Sequence, residues 1–460
     1  MILRSMSQTV RTELDAMDFR PSRKLGQNFL TDANMAAWIV GQLELESDDC
    51  IIEVGPGLGA LTRHLAGQVA RLVLIEKDHR LAERLAEQYG AESSVEVHCM
   101  DACDFDSRCL YRESKVKLIG NLPYSAAGEI MRRFLDAPTP VSSAVLMLQK
   151  EVAQRLVARP RTKEFGVLTL QHAQRWQVKQ IKVVPPQLFF PVPAIDSAVV
   201  RFLPRDARDL PIFDRRQFSK LVKVGFAQRR KQLRKLIPPP PGNWDELAAT
   251  LGISPACRAE ELDLGQWISL TRVYEGHGDR GGGVDVGQCA DEIFDVVDAQ
   301  DHVVDQAERG RVHTEGLTHR AVHVFAFDRR GQLFLQKRSH LKDTMPLRWD
   351  SSAAGHLDSG ESYEAAAVRE VEEELGIADA EIEFVAKLPP TEANGHEFVG
   401  LYEMRGIKPS KIRLPASEVD CGEFFPLDVV CDWAAASPDD FAPGFLQCLK
   451  IYRDIKPVSA

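Results

Sequence analysis

The sequence predicts two successive α/β units joined by a flexible connection, and three observations predict it. Residues 50–78, "CIIEVGPGLGALTRHLAGQVARLVLIEKD", pass from an apolar strand through a turn with three alternating glycines into helix-spaced residues and a second apolar strand. Residues 355–377, "GHLDSGESYEAAAVREVEEELGI", set a glycine-bounded loop before a helix crowded with glutamates. Between them, "EGHGDRGGGVDVGQ" (275–288) is glycine-rich with no apolar periodicity, as a linker is. Charge changes sign across it: residues 1–278 hold 38 Lys+Arg and 33 Asp+Glu, net +5, which leaves 19 basic and 34 acidic residues, net −15, for the rest. Two modules with different electrostatic tasks have this signature.

The length of 460 residues calls for two or three domains, and 44% apolar residues suffice for ordinary cores. No run of eighteen apolar residues occurs, so neither a transmembrane helix nor a membrane partner is expected. The start, "MILRSMSQTVRTELD", lacks a signal-peptide core, and Met6 is as good a start as Met1. Nine cysteines without a CxxC pair indicate reduced thiols and a cytoplasmic protein, and no obligate protein partner is evident.

In the first unit, Gly55, Gly57 and Gly59 let the backbone approach a ligand closely, and Glu76, ending the second strand, can accept hydrogen bonds from both hydroxyls of a ribose. A third strand-like segment ends at Asp101 and a fourth at Asn121, so the strand ends share one edge of a parallel sheet. A glycine turn alone also fits dinucleotides. Here the pattern is E-x-G-x-G-x-G, which suits a ligand without a pyrophosphate, such as S-adenosylmethionine; Glu53 and Asp101 would complement its sulfonium. After the fourth strand comes "IGNLPYS" (119–125), where proline restricts its own φ and the residue before it, stiffening a loop that carries an amide and an aromatic ring.

"KLGQNFL" (24–30), "IIEVGPGLGALT" (51–62), "IEKD" (75–78), "GNLPYS" (120–125), "QKEVAQRL" (149–156), "LFFPVPAIDSAVVRF" (188–202) and "FAQRRKQLRKLI" (226–237) stand in the order found in ribosomal RNA adenine dimethyltransferases. The chain resembles that family over roughly residues 15–275, most closely its small-subunit members. The resemblance implies a Rossmann-like S-adenosylmethionine-dependent methyltransferase core over 15–203 and a small helical subdomain over 204–275. It also implies cofactor binding by Asn28, Leu30, Gly55, Glu76, Asp101 and Asn121, with Asn28 and Leu30 on an N-terminal arm and Asp101 accepting from the cofactor's adenine amino group. At the catalytic corner, the Asn121 side-chain oxygen and the Leu122 carbonyl would bind the N6 hydrogens of a target adenine. Tyr124 would stack on the extruded base and Phe190 would lie near its other face. The implied partner is 16S rRNA in the small ribosomal subunit, at two adjacent adenosines of its 3′-terminal hairpin. Large-subunit RNA, or an assembly role without essential catalysis, are the alternatives. Residues 201–235 contain 12 Lys+Arg and 3 Asp+Glu, which beside a site for an anionic polymer reads as a phosphate-contacting surface.

In the second unit, Gly355, Glu361, Arg369, Glu370, Val371, Glu373, Glu374, Gly376 and Ile377 satisfy the fixed positions of the Nudix box. On a helix, Glu370, Glu373 and Glu374 are at i, i+3 and i+4 and share a face, which calls for a cation among them. Oxygen ligands suit Mg²⁺ or Mn²⁺, and the substrate would be a diphosphate-containing small molecule. An α/β/α Nudix domain is expected over 289–460, after a linker at 276–288. Its flanks, "DEIFDVVD", "GLTHRAVHVFAFDRRGQLFLQKRS" and "WDSSAAGHLDSGES", resemble the Nudix group containing isopentenyl diphosphate isomerase and its hydrolase-like relatives. The isomerases carry a cysteine just after the W-x-x-S segment; here "RWDSSAAGH" has alanines, so hydrolysis is expected rather than isomerisation. His319 and His356 match isomerase positions near metal, yet a lone histidine is more often structural, and the expected metal set is the three glutamates.

Overall fold

A computed structural model describes residues 10–22, 26–113, 115–123, 126–136, 138–211, 213–274, 292–342, 344–378, 380–415 and 418–456. The alternative starts, the expected linker and Tyr124 lie outside the described residues. The chain divides into two compact units at residues 278 and 279.

Seven strands make the first unit's sheet: β1 (Cys50–Val54), β2 (Arg71–Glu76), β3 (Val95–Cys99), β4 (Val116–Asn121), β5 (Val141–Gln149), β6 (Trp176–Val184) and β7 (Ser197–Pro204). Their order is β3-β2-β1-β4-β5-β7-β6, parallel through β5, with β7 antiparallel to both β5 and β6. β1 and β4 are apolar almost throughout because both sheet faces are covered. Alternate residues enter opposite cores: Ile52, Val54, Val73, Ile75 and Leu118 on one face, Ile51, Leu72, Leu74 and Ile119 on the other. The chain reverses its strand order between β1 and β4, which opens a crevice at their carboxyl ends. The segment 61–70, expected as a helix, holds only a 3₁₀ turn at Thr62–His64, since Gly67 at φ 72° breaks the helical path. Beyond β7, Phe218, Leu221, Val222, Trp267 and Ile268 form the core of a separate helical subdomain.

In the second unit, a ribbon of β8 (Ile293–Val297) and β9 (Val303–Glu308) precedes a mixed sheet. The sheet comprises β10 (His319–Asp328), β11 (Leu333–Arg338), β12 (Trp349–Asp350), β13 (Ala353–His356), β14 (Glu383–Leu388), β15 (Glu397–Ile407) and β16 (Val419–Phe425). The main path is β12-β11-β10-β15-β14, with β13 on β10 and β16 on β11. Val322, Val324 and Ala326 of β10 pack with Ala366, Ala367, Val371 and Leu375 of the helix Tyr363–Leu375. Phe325 and Phe327 face the opposite way, onto Phe445 and Tyr452 of the helix Pro443–Ile455. Helices on both sheet faces make this an α/β/α unit.

Candidate functional site

The crevice of the first unit is lined by Asn28, Leu30, Glu53, Gly55, Gly57, Glu76, Asp101, Asn121 and Leu122, among others. Each expected cofactor residue therefore lies on one cavity. Gly55, Gly57 and Gly59 adopt φ of 68°, 58° and 77°, the left-handed region that glycine enters without strain. The turn folds back so that the Gly57 N–H donates to Glu76 Oε2 at 3.0 Å, and the Asp78 N–H donates to Oε1 at 2.9 Å. Glu76 is buried, and desolvation pushes its carboxyl above the usual range. Glu53 is 1% exposed, accepts from the Thr62 hydroxyl at 2.8 Å, and is pushed up to about 8 by burial. Asp101 caps the short turn Ala102–Asp104, accepting from the Cys103 N–H at 3.0 Å, and pairs with Lys77, which holds its carboxyl below the usual range.

At the end of β4, the Asn121 Nδ2 donates to the Asn28 carbonyl at 2.9 Å, leaving Oδ1 as an acceptor at the crevice. The Leu122 side chain is buried, and its N–H donates to the Met147 carbonyl at 3.1 Å, so the corner is anchored to β5. Phe190 reaches this region through a two-strand ribbon in which Phe29 pairs with Phe190 and Leu30 with Phe189. The Thr31 N–H adds a bond to the Leu188 carbonyl at 2.8 Å, and Phe190 rests half-buried against the cluster of Leu14, Phe19, Phe29, Leu58 and Leu81. In the basic stretch, Arg229 is bound to Glu260 and to the Thr162 and Lys163 carbonyls, and Arg205 to the Ala173 carbonyl. Lys220, Lys223, Arg230, Lys231, Arg234 and Lys235 are exposed.

In the second unit, Ser362 caps the helix Tyr363–Leu375 and Gly376, at φ 67°, ends it. Glu370 and Glu374 are buried, 8% and 3% exposed, whereas the Glu373 side chain is 59% exposed. Arg369 bridges the two kinds: it donates to Glu370 Oε1 at 2.7 Å, to Glu373 Oε2 at 3.2 Å, to both oxygens of Glu361 and to the His356 carbonyl. The shared face expected of the three glutamates is occupied by two, with the third at the surface. Glu374 Oε2 accepts from Gln336 Nε2 at 2.7 Å and the Ala354 N–H at 3.0 Å. A Cβ at position 355 would sit 2.0 Å from Glu370 Oε1, so glycine there makes room for the carboxylate. Burial, with Glu374 beside it, pushes the Glu370 carboxyl up, and burial does the same to Glu374. Arg369 at Glu370 and Lys342, 3.9 Å from Glu374, offset only part of the burial of these two crowded carboxylates, and oxygen ligands so placed fit a hard divalent cation.

The sequence reasoning missed a second cluster. His313, His319 and His356 bring ligand atoms within 4.8 Å of one another, with ring centroids 5.1–5.3 Å apart. The His319 Nδ1 lies 2.9 Å from the Leu317 carbonyl, as a donor, and its buried Nε2 has no hydrogen-bond partner. Glu397 Oε1 lies 3.2 Å from His356 Nε2 and 3.5 Å from His319 Nε2. No local signal joins these residues, because they come from a helix and three strands; the registry of His319 with Glu397 on parallel neighbours is what unites them.

The fold and the crevice at its strand ends define a Rossmann-like methyltransferase followed by a Nudix domain. A family model described as "Ribosomal RNA adenine dimethylase" matches residues 19–275, and one described as "NUDIX domain" matches 317–445. The chain belongs to the ribosomal RNA adenine dimethylase family, with a C-terminal Nudix domain, and both are families of enzymes. It is 38% identical over 266 residues to Ribosomal RNA small subunit methyltransferase A of Chromobacterium violaceum, covering 57% of this chain and 98% of that protein. The same-named protein of Laribacter hongkongensis is 38% identical over 263 residues, covering 57% and 97%. A crystal structure of the 23S rRNA methyltransferase ErmE superposes with a TM-score of 0.44 at 26% identity, covering 53% of this chain and 98% of that one.

Proposed function

We propose that the first unit dimethylates N6 of two adjacent adenosines in the 3′-terminal hairpin of 16S rRNA, within the small ribosomal subunit in the cytoplasm. The observation that carries this reading is the Asn121 amide, tied to the arm through Asn28 and presenting its oxygen to the cofactor crevice. Near-complete coverage of relatives named for the small subunit favours that target. S-adenosylmethionine supplies an electrophilic methyl group when bound. Glu76 would hold the ribose, Asp101 the adenine amino group, and the glycine turn with Asn28 and Leu30 the methionine end. Asn121 Oδ1 and the Leu122 carbonyl would accept the two N6 hydrogens, pyramidalising a nitrogen whose lone pair is otherwise spread into the ring. Tyr124 and Phe190 would hold the base between two aromatic faces. The rate then comes from alignment of nitrogen, methyl and sulfur rather than from a tuned base. The test is transfer of labelled methyl from the cofactor to unmethylated small subunits, with large subunits alongside. Label confined to large subunits, or undiminished label with Asn121→Ala, overturns the proposal.

We propose that the second unit hydrolyses a diphosphate-containing small molecule. Glu370 and Glu374, with Glu373 turned inward from its exposed position, would hold Mg²⁺ or Mn²⁺, which supplies charge neutralisation and water activation when bound. A second reading concerns the imidazoles. Three imidazoles converging beside Glu397, with the buried His319 Nε2 not hydrogen-bonded, favour a transition metal held by His313, His319, His356 and Glu397. Elemental analysis after dialysis against zinc or manganese, with His319→Ala beside the wild type, tests it. Equal metal content in both disproves this assignment.

A further inference from the structure

Glu53, whose charge the sequence pairs with a sulfonium, is a carboxyl of the crevice lining that the steps above leave unused. It is the penultimate residue of β1, two positions before Gly55, lines the cavity, and is 1% exposed. Among the described residues its hydrogen bonds come only from Thr62, a neutral residue, and no cation pairs with it. The groups that face it are Thr62 from the turn, the Glu76 carboxyl from β2, and the Tyr89 hydroxyl from the helix His79–Tyr89, with Arg63 beside that hydroxyl. A carboxyl so enclosed, next to a second carboxyl, pays a desolvation cost for its charge that nothing in the empty crevice offsets.

Building on the S-adenosylmethionine reading, we propose that Glu53 distinguishes methyl donor from spent product by charge: it is neutral in the empty crevice, releases its proton to solvent when the sulfonium enters, and keeps it when the uncharged thioether enters. The donor and its demethylated product share every other group, so a sulfonium-responsive carboxyl is a means to bind one more tightly and let the other leave. The upward displacement of this carboxyl to about 8 agrees with a neutral form at pH 7.

Calorimetric titration of the full chain at pH 7, in two buffers of different ionisation enthalpy, counts the protons released. S-adenosylmethionine is expected to release up to about one proton and S-adenosylhomocysteine close to none. The donor's affinity rises by as much as about tenfold per pH unit between pH 6 and 8, while that of the product stays flat. Glu53→Gln removes the proton release and narrows the donor-to-product preference. Equal release by both ligands assigns the effect to their shared ammonium and overturns the proposal, as does undiminished release by Glu53→Gln, which would place the proton on Glu76. The comparison of ligands on wild-type protein needs no variant to fold. Binding without differential release defeats this proposal alone; absence of binding by either ligand defeats the cofactor reading beneath it.

Discussion

Gly120→Ala tests how tightly the crevice is built. Gly120 pairs with Val54 across the junction of β4 and β1, where the strand order reverses. An added Cβ would lie 2.5 Å from the Val54 carbonyl oxygen and 3.0 Å from Leu122 Cδ2, against an ordinary contact of 3.4 Å or more. Backbone flanks the first contact, so β4 or β1 must yield by about 0.9 Å. Such overpacking typically costs about 1–3 kcal/mol, or a drop of several degrees in Tm for a unit of this size. The larger effect falls on rate. Asn121 follows directly, and even a Cβ built on Gly55 would lie only 3.5 Å from its carbonyl oxygen, so acceptor and cofactor cradle shift against each other. A misplacement near 1 Å costs about 10²-fold in an alignment-dominated reaction. The assay is single-turnover methyl transfer at saturating cofactor, with calorimetric cofactor affinity and a melt on the same sample. Gly128→Ala, on the exposed face of the helix Ala127–Leu135 with nothing within 4 Å, is the control and should be neutral or slightly stabilising. Wild-type rate and cofactor affinity in Gly120→Ala would refute the reasoning.

Three further outcomes are expected. Gly355→Ala drives a Cβ into the Glu370 carboxylate and should lower metal-dependent diphosphate release by at least about 10²-fold, as should Glu374→Gln, with methyl transfer unchanged in both; parallel loss of methylation would show the units to be coupled. Asp101→Asn should weaken S-adenosylmethionine about 10- to 100-fold by calorimetry, the value of a charged hydrogen bond, while the melting temperature without ligand changes little. His172 is buried with its Nδ1 unpartnered, and burial lowers its pKa from 6.5 to about 4. The unfolded chain therefore takes up the proton first, so stability should fall by about 2 kcal/mol from pH 7 to pH 5. His172→Leu should remove that decline in urea titrations; an unchanged slope would contradict the assignment.

Much of the first unit was legible because parallel strands buried on both faces read as apolar runs, and their ends carry Gly55, Glu76, Asp101 and Asn121 to one edge. Phe190 was reachable only by resemblance. Its approach to Phe29 is a pairing of distant segments with no local signature. Helical spacing correctly relates the angles of Glu370, Glu373 and Glu374 but says nothing of their depth: the sheet residues Gln336, Ala354 and Gly355 enclose Glu370 and Glu374, while Glu373 stays at the surface. His319 and His356, taken singly, read as structural and His313 carries no signal of its own, since sequence gives no view of four elements converging. Glycine spacing likewise concealed that Gly67 would cut the expected helix short.

The bond from Asn121 Nδ2 to the Asn28 carbonyl leaves the oxygen as the end of the carboxamide that, in the proposed reaction, would meet the target base. An oxygen presented there welcomes a purine whose sixth position bears hydrogens and repels one that bears a carbonyl. Deamination of the target to inosine would therefore turn an attraction into a clash of lone pairs at the very atom due for modification. Guanosine in the same hairpin position would be refused on the same ground, without any contact elsewhere on the ring.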